Sequence, residues 1–472
     1  MILILTLFAF VLSLFASWAI NEDDIYGQIR AGTEILKTHS VQSIDTWTST
    51  MSGKSIVNYQ WLSDVLFKGI YSLGGNAALV WARILCTFAL LSFVTAIYYR
   101  RSISLKGASR WTIGLSVITL SFLVLNYRLQ IRPEIFTLIG FTWILFQAQK
   151  TIDKTTVLSM VIAVWVSTQF HAGTAIYCVF IALYFLIFKS TLTMKEKAIF
   201  SLGICISYFL TPEHFNIVPM LLLHFSYDNS VIGNIEWMPI GSFLLSIPEL
   251  KIPILTWVLV IVVGVLFLLG RPSKKIIPEL VVLALFSWMA FTRIRMIPFA
   301  FLFLVAVFPF ELVRLKKAWQ HVGLVGVVVV MFFFQVTIKP PFKFVADRQL
   351  FSMDLVDFIG RRHLEQNVFN GFAAGSYMLM QLPTYKVFID PRDTLFNELK
   401  PHLLMSMRDP VTLHRLFDKF NVKTALFPVI PEQFRERFFP HNEWARVLTD
   451  GKNDLYVKRI PEHELVIKQF GT

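Results

Sequence analysis

The sequence predicts a polytopic α-helical membrane protein of about eleven transmembrane helices with a C-terminal extracytoplasmic α/β domain. Three observations predict it. The 472-residue chain is 55% hydrophobic and only 16% charged, whereas soluble domains carry about 25% charged residues. Its apolar runs recur at roughly 16–20 residues, the length that the hydrocarbon core of a bilayer requires. After residue 339 charges become frequent and no further apolar run appears.

The apolar runs place spans near 2–20, 77–99, 111–127, 133–149, 155–170, 172–188, 198–211, 253–270, 277–292, 296–313 and 321–338. The first, MILILTLFAFVLSLFASWA, lacks a basic leading region and so reads as a span rather than a cleaved signal, although Ser17-Trp18-Ala19 would pass as a cleavage site. Basic residues cluster in alternate loops: Arg100, Arg101, Lys106 and Arg110; Lys150 and Lys154; Lys189, Lys195 and Lys197; Arg271, Lys274 and Lys275; Arg314, Lys316 and Lys317. Positive-inside makes those loops cytoplasmic. The N-terminus is then cytoplasmic, and loops 21–76 and 212–252 lie outside together with the tail. The net charge of +13 is thus spent on orientation, and nucleic acid is not expected as a partner.

Two domains follow: a transmembrane domain over 1–338 and an extracytoplasmic domain over 339–472. In the tail, VKTALFPV and NDLYVKRI read as strands and 395–420 as helical. Cys86, Cys178 and Cys205 all lie in apolar runs, so no disulfide framework is readable.

Ionisable residues collect on the outer face. They are Asp23, Asp24, Arg128, Arg132, Glu134, His171, Glu213, His214, Glu236, Arg293 and Arg295. Charge at membrane depth costs up to about 2.5–3.5 kcal/mol on insertion scales, so such residues usually line a polar cavity. Singly, each has a plain structural reading. An arginine can snorkel to headgroups, His171 can be an interfacial histidine, TPEHFN can be a helix end, and one aspartate can cap a helix. Capping leaves the second aspartate idle, and it is the convergence on one face that favours a site.

Guanidinium forks match phosphate oxygens. A carboxylate beside them suits general-base activation of a hydroxyl, and a lipid-facing cavity holding both suggests a phosphorylated lipid. Displacement at a sugar carbon would release that phosphate, with arginines stabilising the developing charge.

The order of motifs resembles integral-membrane glycosyltransferases of the GT-C type, in particular bacterial relatives of oligosaccharyltransferases and protein mannosyltransferases. DDIYGQIRAG resembles their first outer loop at Asp24, Tyr26 and Gly32, and NYQWLSDVLFKGIYSLGG the element that follows it. QIRPEIFTL, FHAGTAIY, TPEHFNIVPML, IEWMP and RIRMIPFAF resemble later elements in order, and NVFNGFAAGSYMLMQLPTYKVFIDPRD resembles a glycine-rich element after the last span. The chain departs from the pattern at Gly27 and Gln28, where relatives often carry an aromatic residue and a His, and at Pro391, which replaces a glycine.

The resemblance implies transfer of a sugar from a polyprenyl-phosphate donor to a glycan, lipid or protein acceptor, at the outer face of a bacterial inner membrane. It implies that Asp24, or its neighbour Asp23, is the catalytic carboxylate, and the convergence on one face places Arg128, Arg132, Glu134, His171, Glu213, His214, Glu236, Arg293 and Arg295 around the substrate. A divalent metal bridging Asp23 and Asp24 stays open, since two adjacent aspartates do not name an ion. Two rival readings use the same arginines without a base: a transporter or flippase for a lipid-linked saccharide, and a non-catalytic membrane scaffold whose outer domain binds a polymer or partner.

Overall fold

A computed structural model describes residues 1–226, 239–241, 258, 277–308, 310 and 318–471. The expected span 253–270, most of the loop 212–252 and the basic groups at 271–275 and 314–317 lie almost wholly outside the described residues. Among the described residues, four helices are long and apolar enough to cross a membrane: Trp61–Arg101, Gly107–Leu125, Lys154–Lys189 and Ala318–Thr337. Shorter apolar helices run over Ile2–Leu14, Glu134–Gln147, Ile277–Thr292 and Ile294–Val307. The chain is a multi-pass membrane protein, and it divides into two compact units.

The first unit comprises Met1–Ala19, Gly74–Ile217 and Asp228–Val345. Its helices break where length demands it. The spans expected at 155–170 and 172–188 form one 36-residue element, Lys154–Lys189, whose backbone leaves helical values at His171. At 1.5 Å per residue an unbroken helix of that length would reach about 54 Å, far beyond a bilayer core. Asp153 starts the element by accepting the Thr156 N–H at 2.9 Å, an N-cap that frees the apolar face for packing. The helix Trp61–Arg101 is likewise interrupted, at Gly74 and Gly75, and Gly75 takes the left-handed φ of 59° that glycine tolerates best.

The centre of this unit is the helix Ile297–Val307, buried from Ile297 to Ala306. Phe299 meets Phe141 edge-on at 5.1 Å and Tyr177 at 4.8 Å. Its C-terminus is closed by Arg101, which donates to the carbonyls of Val307 and Phe308 at 3.0 Å each. A cation at the carbonyl end of a helix is favourably placed, and Arg101 caps this helix.

The second unit comprises Ile20–Leu73, Val218–Tyr227 and Ala346–Thr472. The segment Ile20–Leu73 therefore folds with the tail. At its heart is a five-stranded mixed sheet in the order β2-β1-β3-β5-β4, built from β1 (Asn367–Phe369), β2 (Lys386–Val387), β3 (Thr424–Pro428), β4 (Trp444–Thr449) and β5 (Asn453–Lys458). β1 runs parallel to β2 and β3, whereas β5 is antiparallel to β3 and β4. The strands expected around 422–429 and 453–460 are β3 and β5, and the helical stretch expected at 395–420 contains the helices Lys400–Ser406 and Pro410–Lys419. Phe369, Phe388, Phe417, Phe427, Phe439, Trp444 and Tyr456 form its core.

The β2 edge of this sheet is covered by the loop segment around Trp47–Ser49. Ser49 N–H donates to the Val387 carbonyl at 2.9 Å, and Val387 N–H to the Trp47 carbonyl at 3.1 Å. Unpaired strand edges invite unwanted pairing, and here the loop supplies the partner. Elsewhere in the loop the helix Ile25–Thr38 crosses the helix that begins at Trp61. They approach so closely at Gly32 that a Cβ there would run into the Asp64 carbonyl and Lys68 Cβ.

Candidate functional site

In the second unit, Asp23 and Asp24 occupy the turn that leads into the helix Ile25–Thr38, both half-buried. Asp24 stands at the N-cap position, yet its carboxylate makes no capping hydrogen bond. The next turn is anchored by Gly27 N–H donating to Ser376 Oγ at 2.9 Å, and by Tyr26, fully buried among the rings of Phe351 at 4.8 Å and Tyr377 at 5.1 Å. Gln28 is buried one turn after Asp24, and its backbone N–H donates to the Asp24 carbonyl at 3.0 Å.

Asp64 was not singled out from sequence. It is buried, accepts from Asn58 Nδ2 at 2.8 Å, and lies close enough to Asp24 to interact electrostatically. The signal was present, since Asp64 is the only acidic residue in the WLSDVLFKGIYSLGG element. Like charges held together disfavour full ionisation of both, which suits a carboxylate that must take up a proton.

In the first unit, two loops far apart in sequence come together. The Tyr127 hydroxyl donates to the Ile294 carbonyl at 2.6 Å, which ties the residue before Arg128 to the residue between Arg293 and Arg295. Arg128 donates to Glu134 Oε2, with both side chains about 3% exposed. Arg295 Nη2 lies 3.3 Å from the same Glu134 oxygen and 3.3 Å from His171 Nε2. Arg128, Glu134, Arg295 and His171 thus form one cluster. Arg293 lies beside it, within electrostatic reach of the Tyr177 hydroxyl, as Arg295 also is. Arg132 is half-buried in the 128–133 turn, its N–H donating to the Gln130 carbonyl at 2.9 Å.

The structure does not bring every expected residue into that cluster. His214 is exposed, with left-handed backbone (φ 45°) and its Nδ1 3.4 Å from the Phe209 carbonyl. Glu213 is buried in the preceding turn, its carbonyl accepting from Asn216 N–H. Glu236 lies outside the described residues.

Arg83 was missed altogether. It is fully buried, donates to the Trp18 carbonyl, and places its guanidinium 4.4 Å over the Trp18 ring. Lys339 Nζ is 4.6 Å from the same ring. A single arginine inside the apolar run LVWARILC was the available signal. Among the described residues no group of three or more His, Cys, Asp or Glu side chains is placed to hold a metal ion.

A helical unit with membrane-length apolar helices and a second unit built on a mixed sheet make up a fold that this chain shares with solved structures of an archaeal oligosaccharyltransferase. The solved structures that share it include the Archaeoglobus fulgidus oligosaccharyltransferase AglB in complex with an inhibitory peptide and a dolichol-phosphate, with TM-score 0.61 and 10% identity over 98% of this chain and 75% of that one. An Archaeoglobus fulgidus oligosaccharyltransferase tethered to an acceptor peptide containing the NVT sequon matches with TM-score 0.60 and 11% identity, over 97% and 74% of the two chains. Its complex with Zn and sulfate matches with TM-score 0.54 and 10% identity, over 96% and 73%. No protein-family profile matches the sequence, and no curated protein matches it.

Proposed function

We propose that this chain is a membrane glycosyltransferase that moves a sugar from a polyprenyl-phosphate-linked donor to an acceptor at the extracytoplasmic face. The observation that carries the reading is the convergence of Arg128 and Arg295, from two distant loops, on one buried carboxylate beside His171. Snorkelling arginines have no reason to meet. Paired guanidiniums at the membrane boundary suit a phosphate oxygen. The shared fold with an enzyme solved with dolichol-phosphate supports the same donor class.

In the proposed reaction an acceptor hydroxyl or amide attacks the anomeric carbon and forms the new glycosidic bond. The bond from that carbon to the phosphate oxygen breaks, and its electron pair leaves with the polyprenyl phosphate. The acceptor proton passes to Asp24, a general-base contribution of about 10²–10⁴-fold. Arg128, Arg295, Arg132 and Arg293 offset the charge that develops on the leaving phosphate. Asp23 orients the acceptor. A divalent ion at Asp23 and Asp24 would add Lewis acidity, and no step above is routed through one. The bacterial inner membrane, with the N-terminus cytoplasmic and residues 339–472 outside, belongs to this proposal.

The test is the lipid extract of a strain lacking the protein. Accumulation of one polyprenyl-phosphate sugar, reversed by the wild-type chain and not by Asp24→Asn, is the expected result. Reversal by Asp24→Asn as well would overturn transfer in favour of transport or a scaffold, neither of which needs a base.

A further inference from the structure

Three segments of the first unit pass from apolar to polar side by side. Phe332, on the helix Ala318–Ile338, packs edge-on against Phe15 at 4.8 Å and lies 6.1 Å from Phe122. Three or four residues farther along, each segment turns polar: Trp18 after Phe15, Asn126 after Phe122, and Gln335 after Phe332. Lys339 follows Gln335 by one turn, its N–H donating to the Gln335 carbonyl at 3.1 Å. The Lys339 ammonium lies 4.6 Å over the Trp18 ring and donates to the Asn126 carbonyl at 3.3 Å. Residues three and four apart share a helix face. Gln335 is therefore bracketed by Phe332 and Lys339 on the face that meets Trp18 and Asn126.

Trp18, Asn126 and Gln335 are all at least nine-tenths buried. Among the described residues, none offers a hydrogen-bond partner to Trp18 Nε1, Asn126 Oδ1 or either end of the Gln335 carboxamide. Buried polar groups are ordinarily paired, and leaving them unpaired costs stability. The surroundings are fixed. Phe342 N–H donates to Ser17 Oγ and Lys343 N–H to the Ser17 carbonyl, each at 2.7 Å, which pins the segment after Lys339 beside Trp18. Arg83 donates to the Trp18 carbonyl and holds its guanidinium 4.4 Å over the same ring. Two cations thus share one indole, whose own N–H can only donate.

We propose that Trp18, Asn126 and Gln335 form a binding site for the headgroup of a membrane lipid, a phosphodiester that carries hydroxyl groups. Phosphate oxygen accepts from Trp18 Nε1 and Gln335 Nε2 in the positive field of Lys339 and Arg83, and a headgroup hydroxyl donates to Asn126 Oδ1 or Gln335 Oε1. The lipid is at hand. Lys339 is only half-buried, so the cluster opens at that end of its helix, and Val330 and Phe333 on the same helix are exposed. The rings of Phe15, Phe122 and Phe332 give the polar groups an apolar floor. The site is separate from the Arg128–Glu134–Arg295 cluster, and the inference does not depend on sugar transfer. Phosphatidylglycerol and a polyprenyl phosphosugar share the required chemistry.

The informative variant is Gln335→Leu. Leucine is close to glutamine in size and needs no partner, so the fold should hold at least as well without lipid. The probes are dihexanoyl-phosphatidylglycerol and farnesyl-phosphoryl-glucose, each bound to the purified full chain in neutral detergent. At least one is expected to bind the wild type, and the one that binds names the source. Gln335→Leu is expected to weaken that binding about tenfold, one charge-assisted hydrogen bond, with an unfolding temperature no lower than the wild type's in the absence of lipid. Unchanged affinity in Gln335→Leu overturns the proposal, as does wild-type protein that binds neither probe. Equal affinity for dihexanoyl-phosphatidylcholine, which has neither net charge nor hydroxyl, overturns it too.

Nitrogen NMR of tryptophan-labelled wild-type protein decides the matter with Gln335 in place. The Trp18 indole resonance, assigned by its loss in Trp18→Phe, is expected to move when the bound probe is added. A Trp18 resonance that stays in place while the lipid binds overturns the proposal.

Discussion

Asp45 and Arg392, 347 positions apart in sequence, form an ion pair whose carboxylate is completely buried. Arg392 also binds Asp390 through Nε at 2.9 Å and Nη2 at 2.6 Å, and lies 4.6 Å over the Trp47 ring. Burial alone would make the guanidinium easier to deprotonate. Asp390 and Asp45 more than offset that and hold it above its usual range. Asp45 is further satisfied by Thr48, through N–H at 3.2 Å and Oγ1 at 2.7 Å. Replacing Asp45 removes the link between the first loop and Arg392, which stays paired with Asp390. Asp45→Asn is expected to raise hydrogen exchange at residues 43–56 and 386–389 together. Unchanged exchange in both segments would show that the pair does not hold them.

The carboxylates separate by role. Asp24→Asn is expected to lower sugar transfer by roughly 10²–10⁴-fold while membrane insertion and thermal unfolding stay as in the wild type. Asp23→Asn should do less. Equal and small losses from both would leave the pair a structural task only.

The arginines can be tested by exchange for lysine. A lone snorkelling arginine tolerates it, because an ammonium on a flexible stem also reaches headgroups. A phosphate clamp loses its bidentate fork. At least one change among Arg128→Lys and Arg132→Lys, and one among Arg293→Lys and Arg295→Lys, is expected to weaken polyprenyl-phosphate binding about tenfold, as measured by isothermal titration calorimetry. Wild-type affinity in all four would refute the clamp.

The tail carries a pH-dependent element. His463 is buried, with Nδ1 2.9 Å from the Lys458 carbonyl and Nε2 3.4 Å from Glu365 N–H. Burial lowers its pKa below the usual histidine value, and the bond to the Lys458 carbonyl only partly offsets this. Below about pH 6.5 the unfolded chain therefore binds more protons than the folded one. The contribution is complete above that pH and is lost as pH falls through it. Exchange protection of the β5 amides should decline from pH 7 to 5.5 in the wild type and decline less in His463→Gln. Parallel declines would rule out His463 as the source.

Gly32 is a steric test of the loop. Alanine there would push a methyl into the Asp64 carbonyl, and an overpacked contact costs about 1–3 kcal/mol. Gly32→Ala is expected to lower the unfolding temperature and raise protease cleavage within residues 21–73. A variant as stable and resistant as the wild type would show that the two helices can separate freely.

Membrane character and the strands β3 and β5 were legible in the sequence because long and short apolar runs are local signals. The meeting of Arg128 with Arg295 was legible only as a shared face. That Glu134 joins them depends on packing between loops some 160 residues apart, which no local pattern records. The break at His171 left a trace as the gap between two expected spans. The FIDPRD segment reads as part of a functional motif, whereas Asp390 and Arg392 in the structure anchor the first loop through Asp45. Asp64 escaped notice because a single carboxylate near the start of an amphipathic helix looks like ordinary capping chemistry.

The seating of Tyr26 and Gly27 has a consequence for domain exchange. Phe351, Ser376 and Tyr377, which hold the turn after Asp24, all belong to the tail. A chain cut after residue 345 would thus lose more than an appendage, because the helix bearing the aspartates would lose the surface against which it is seated. By the same logic a tail grafted from another protein would arrive without its counterpart. Working chimaeras should require residues 20–73 and 346–472 to be swapped as one inheritance, although 272 residues of other chain lie between them in the gene product.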